Sequence, residues 1–194
     1  MSGFYSSGES DPRRCANETF LFTLGVRKQK PSTDCGHGFD AIFDEPNFVG
    51  GIFSFWNREG IRLLGSGAAL VSGGSLIPSL RSSKEEGQAN FSNPGIRIIN
   101  AGADIDVTPK IRGFINFNAI AFDHTETLQE LLFQGHIHKG VGADSGIGII
   151  WRPPLSDNII VTTGVNMFNP FQGFRDILSG QTLFAVFANV KFKF

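Results

Sequence analysis

Residues 99–119 read INAGADIDVTPKIRGFINFNA. Ile99, Ala101, Ala103, Ile105 and Val107 alternate with Asn100, Gly102, Asp104 and Asp106. A period of two is the mark of a strand with one apolar and one polar face. Thr108, Pro109 and Lys110 make a tight turn. Ile111, Gly113, Ile115, Phe117 and Ala119 then alternate with Arg112, Phe114, Asn116 and Asn118. The stretch is a β-hairpin whose two arms divide their chemistry in the same way.

The same pattern continues to the C-terminus. Val141, Ala143, Ser145, Ile147, Ile149 and Trp151 alternate with Gly, Asp144 and Arg152. After the proline turn at 153–157, Ile159, Val161, Thr163, Val165 and Met167 alternate with Asn158, Ile160, Thr162, Gly164 and Asn166. The last stretch, TLFAVFANVKFKF at 182–194, puts Phe184, Val186, Ala188, Val190, Phe192 and Phe194 on one face. Leu183, Ala185, Phe187, Asn189, Lys191 and Lys193 take the other. These are five consecutive antiparallel strands of roughly 11–13 residues, joined by connections that run short, long, short, long. Soluble strands have about 5–6 residues, whereas a strand that crosses a bilayer needs about 9–11. Length, face chemistry and alternating loop length together predict an all-β fold, an antiparallel transmembrane β-barrel. The short turns belong on the periplasmic side and the stretches 123–138 and 169–181 on the outside.

Residues 1–94 form an irregular N-terminal region. Residues 1–18 read as loop, and Phe20, Phe22, Leu24 and Val26 suggest a strand over 19–28. A short helix is expected near 79–91. Residues 95–194 carry the barrel strands. That count of five to six is below the eight of the smallest single-chain barrels. The sequence is therefore expected to be the C-terminal part of a larger barrel, its N-terminal strands missing, or a protomer that completes its barrel with copies of itself.

Composition narrows the function. Charged residues are 18% of the 194, the net charge is −1, and no basic stripe appears, so nucleic acid is not an expected partner. No window reaches the apolar length of a membrane helix. No basic n-region with an apolar h-region opens the chain. Cys15 and Cys35 have no metal-ligand spacing and could pair as a disulfide in an oxidising compartment. The sequence lacks G-x-S-x-G, a phosphate-loop Lys after GSGAALVSGG and a C-x-x-C-H haem site, so it is read as a non-enzyme with no cofactor. His136 and His138 are two apart and share a face if the strand begins early, and His124 lies at the other end of the same loop, a weak metal candidate without a closing motif. The polar set expected to line an aqueous pore is Asp104, Asp106, Arg112, Asn116, Asn118, Asp144, Arg152, Asn166, Asn189, Lys191 and Lys193. Trp151 fits an aromatic girdle.

The ending resembles the C-terminal assembly signal of Gram-negative outer-membrane β-barrels, a terminal aromatic preceded by apolar residues at every second position. Here those residues are Phe194, Phe192, Val190, Ala188 and Val186. The segments GADIDVTPKIRGFINFN, GIIWRPPLSDNIIVTTGV and GFRDILSGQTLFAVFANVKFKF are similar to the last strands of porin-like proteins. FYSSGESDP with GFDAIFDEPNFVGG is similar to a loop of alginate-export-type barrels. The resemblance implies an outer-membrane location, lipid and the barrel-assembly machinery as partners, and passive transport through a porin-like or export channel. A barrel that sheathes an electron-transfer or secreted partner is the alternative, and a soluble β-sandwich binding module a further one. The single Tyr, two Trp and 20 Phe depart from the usual Tyr- and Trp-rich girdles.

Overall fold

The computed structural model describes residues 2–6, 54–58, 61–63, 69–71, 78, 94–154, 158–178 and 180–193. The expected strand at 19–28, the expected helix near 79–91, Cys15, Cys35 and Phe194 lie outside the described residues. The elements are β1 (Ser2–Ser6), α1 (Phe55–Arg58), β2 (Ile61–Arg62), β3 (Ala69–Val71), β4 (Ile96–Thr108), β5 (Ile111–Phe122), α2 (Glu126–Leu132), β6 (Gly140–Trp151), β7 (Ile159–Pro170), α3 (Gln172–Ile177) and β8 (Leu183–Phe192).

The all-β, antiparallel reading holds. Six strands form one sheet in the order β1-β4-β5-β6-β7-β8, and every neighbour is antiparallel. β2 and β3 pair separately. Among the described residues, β1 and β8 are the two edges and are not paired with each other. All five long strands lie where the alternation puts them. Residues 1–18 differ from expectation, because Ser2–Ser6 is a strand and not a loop. Its own residues carry no alternating pattern. The backbone groups of Ile96–Asn100 at the start of β4 supply the partners that make it a strand. The long connections also carry structure: α2 occupies the first and α3 the second. No described helix is long and apolar enough to cross a membrane.

Register sorts the sheet into two faces. One row crosses it as Asn100–Asn118–Asp144–Phe168–Leu183, the next as Gly102–Asn116–Gly146–Asn166–Ala185, and the next as Asp104–Phe114–Gly148–Gly164–Phe187. These rows form the polar face. On the opposite face the middle row is Ala103–Ile115–Ile147–Val165–Val186. Among the described residues, every exposed large hydrophobic of the five long strands lies on this second face, from Ile99, Ile105 and Val107 on β4 to Phe184, Val186, Val190 and Phe192 on β8. The sheet thus exposes its apolar side, the reverse of an ordinary soluble sheet.

The polar face is covered at one end. Where the helical connections lie, Ile96, Ile98, Ile120, Phe122 and Phe168 of the sheet are buried with Phe55, Trp56, Leu63, Leu70, Leu128, Ile137 and Phe174. Phe168 is the centre of this core. Its ring stacks on Phe55 at 5.8 Å and on Trp56 at 6.3 Å, and meets Phe174 edge-on at 5.0 Å. It also covers Gly142, where an added Cβ would fall 2.5 Å from the ring. Gly173 lets α3 settle on the 138–140 backbone, since a Cβ there would lie 2.7 Å from Gly140 O and nearer still to His138 O. Leu70 and Val71 belong to the core through β3.

Candidate functional site

Each residue of the expected pore-lining set falls on the polar face. Asp104, Asp106, Arg112, Asn116, Asn118, Asp144, Asn166, Asn189 and Lys191 occupy it by register. Arg152 and Lys193 carry the same parity just past their strand ends, held there by Arg152 N–H to Lys110 O and Lys193 N–H to Asn158 O, both 2.8 Å. The set divides by depth. At the turn end of the sheet Asp104, Asp106, Arg112, Arg152, Asn189, Lys191 and Lys193 are exposed. Further in, Asn116, Asn118, Asp144 and Asn166 are buried. One end of the polar face is therefore wet and the other sealed.

At the wet end Arg112 grips Asp106 with two hydrogen bonds, Nε to Oδ1 at 2.7 Å and one terminal nitrogen to Oδ2 at 3.3 Å. A recess of about 480 Å³ lies there, bordered by this pair, Lys110, Ile150 and Arg152. Both partners are half or more exposed, so the pair adds little to stability.

The buried part is a connected polar belt. Asn100 Nδ2 donates to Asn116 Oδ1 and, at 2.6 Å, to Asn118 Oδ1. Asn118 Nδ2 donates to Asp144 Oδ2 at 3.4 Å. Asp144 also receives Ser54 Oγ–H, the Phe55 N–H at 3.1 Å, and the Trp56 N–H. Backbone donors at the start of α1 thus meet a carboxylate that reaches up from the sheet, and segment 54–58 is pinned across the polar face. Next to it, Asn166 is 3% exposed, and neither its Nδ2 nor its Oδ1 has a hydrogen-bond partner among the described residues. A buried, unpaired amide is uncommon in folded proteins.

Two of these contacts do not show in the sequence. Ser54 and Trp56 sit in a stretch without period, and no local signal ties them to Asp144. Asn100 was legible as polar by alternation, but only the register shows it bridging two asparagines of β5.

The aromatic position Trp151 lies on the apolar face at the turn end and is 42% exposed. At the other end of that face Tyr5 stands directly opposite Arg97, whose guanidinium lies 5.6 Å from the ring centre. Both reach Asp123: Arg97 through Nε at 2.9 Å, and Tyr5 through its hydroxyl at 3.0 Å. Of the assembly-signal positions, Val186, Ala188, Val190 and Phe192 share the apolar face of β8.

The three histidines do not converge. His124 lies between Asp123 and Glu126, at 3.7 and 3.6 Å. His136 and His138 meet edge to face at 4.7 Å. Among the described residues no group of three or more His, Cys, Asp or Glu side chains could hold a metal. His138 serves a different contact. Its N–H donates to Asp176 Oδ2 at 3.0 Å, its Nδ1 lies 2.7 Å from the same oxygen, and Gln172 Nε2 donates to Oδ1 at 3.0 Å. The backbone bond first, then the imidazole and Gln172, hold the Asp176 carboxyl below the usual carboxylate range. A lowered folded pKa stabilises the protein above the unfolded value, and that gain is lost as pH falls through the folded one. Acidification below about pH 4 should therefore loosen the join between the 123–139 connection and α3. Asp176→Asn should flatten this acid limb, read as melting temperature against pH; an unchanged limb would show that the join does not titrate.

Comparison with protein-family models, with curated proteins and with solved structures gave no match. The functional reading rests on the geometry of the chain itself.

Proposed function

We propose that this chain supplies strands of an outer-membrane β-barrel that acts as a porin-like or export channel for passive transport. The observation that carries the reading is the inverted sheet: its apolar face is exposed and its polar face is partly enclosed. A contiguous exposed apolar surface marks contact with another apolar phase. Strands of 12 residues extend about 40 Å, and a tilt of about 40° reduces this to about 30 Å, the thickness of a bilayer's hydrocarbon core. In that phase the polar face lines the interior, with Trp151 at one interface and Tyr5 with Arg97 at the other. The interior supplies hydrogen bonds that lipid cannot, which lowers the cost of moving a polar solute across. Segment 54–58 acts as an in-folded constriction. The barrel-assembly machinery would read the alternation of β8 and its terminal aromatic. In a bilayer the outer edges of β1 and β8, which pair with no further strand among the described residues, need partners, because lipid offers backbone groups none.

The apolar seal at one end favours a second arrangement, a closed barrel that serves as scaffold or sheath for a partner. Conductance across planar bilayers separates the two, since a permanently sealed barrel carries no current.

The membrane reading predicts that the protein is extracted from membranes only with detergent, and that its gel mobility shifts on boiling. Recovery wholly in the detergent-free soluble fraction would overturn it.

A further inference from the structure

Asp144 is fully buried, and its partners among the described residues are all dipoles. No Lys, Arg or His among the described residues pairs with it. A buried carboxylate is usually both hydrogen-bonded and paired with a cation, and this one has the hydrogen bonds without a cation among the described residues. Three of its donors come from one short piece of chain, Ser54 O–H, Phe55 N–H and Trp56 N–H. A primary ammonium also presents three donors, and it adds the missing charge.

Asn166 is a second, separate observation. It pairs with Gly146 in register, which makes it the diagonal neighbour of Asp144 on the same face. Both ends of its amide are buried and have no hydrogen-bond partner among the described residues. Gly146 lacks a side chain, and Asn116 stands on its other side in the same row. The amide can donate and accept at once, as a hydroxyl requires.

We propose that Asp144, Asn118 and Asn166 form a solute subsite for a small hydroxylated primary ammonium, and that segment Ser54–Trp56 is its internal competitor. The subsite rests on the channel reading and names the class of solute that channel would admit. The ammonium takes the carboxylate in place of the three segment donors, and the hydroxyl satisfies Asn166. Release of the segment unseats Trp56 from the core around Phe168, so that binding the solute and opening the constriction are one event.

Trp56 reports this directly. It is fully buried, and a Trp151→Phe background leaves it the single tryptophan of the chain. The full-length protein in detergent micelles is titrated with ethanolammonium, with tetramethylammonium (charge without N–H donors) and with potassium, at constant ionic strength. Ethanolammonium should red-shift Trp56 emission saturably and open it to acrylamide quenching, and the other two cations should not. Asp144→Asn should abolish the response. Ser54→Ala removes one competing donor to a charged group and should lower the half-shift concentration about tenfold. An equal response to tetramethylammonium or potassium, no response at all, or a response retained in Asp144→Asn would overturn the proposal. If Asp144→Asn does not fold, Ser54→Ala decides, and an unchanged or raised half-shift concentration overturns it. The readout needs no conductance. A Trp56 response without bilayer current would remove the channel and keep the subsite; current without a response would do the reverse.

Discussion

Ile147→Arg should destabilise the protein by about 2–4 kcal/mol in a bilayer, although the side chain it replaces is exposed. Ile147 is 56% exposed, in the middle row of the apolar face between Ile115 and Val165. A water-facing position of this kind tolerates substitution within about 0.5 kcal/mol, because nothing is buried and nothing is left unpaired. A lipid-facing position near the midplane does not, because the guanidinium must be held in hydrocarbon or drag water inward. The two environments therefore predict effects that differ several-fold for one substitution. Reversible guanidinium unfolding from lipid vesicles gives the number. A change of less than about 0.5 kcal/mol would show that this face meets water and would remove the membrane reading.

Phe168→Ala should cost about 3–5 kcal/mol, the range for a fully buried aromatic. The reason is local. Phe168 is 0% exposed and is shared by Phe55, Trp56 and Phe174, so its removal leaves a gap bordered by three rings from two other elements. The covering of Gly142 is lost with it. The strands are joined by ladder bonds along their whole length and do not depend on this ring. The loss should thus fall on the seal, not on the sheet. Trp56 emission should redden and quench readily while the β signal in circular dichroism persists. Equal loss of both signals would show that the seal and the sheet fold as one unit.

The ladder itself is legible in the sequence. Alternation over Ile99–Val107, Ile111–Ala119 and the three later stretches assigns faces directly, because side chains of a strand alternate by geometry and not by context. The polar set was legible for the same reason: parity alone puts Asp104, Asn116, Asp144 and Asn166 on one side. The ends of the sheet were less legible. Ser2–Ser6 is a strand because Ile96–Asn100 offers it partners. α2 and α3 do not show in the sequence, because helices of seven and six residues carry too little period to stand out.

The sequence by itself determined the five-strand ladder, its division into an apolar and a polar face, and the polar identity of the residues on one of them, since each follows from a repeat within ten or so neighbouring positions. Only the tertiary structure decided which polar residues are sealed and which stay wet, and that Asp144 holds Ser54 and the start of α1. Those positions lie 90 residues apart along the chain. A contact of that span is chosen by how the cover packs around Phe168, and no local pattern in either segment encodes it.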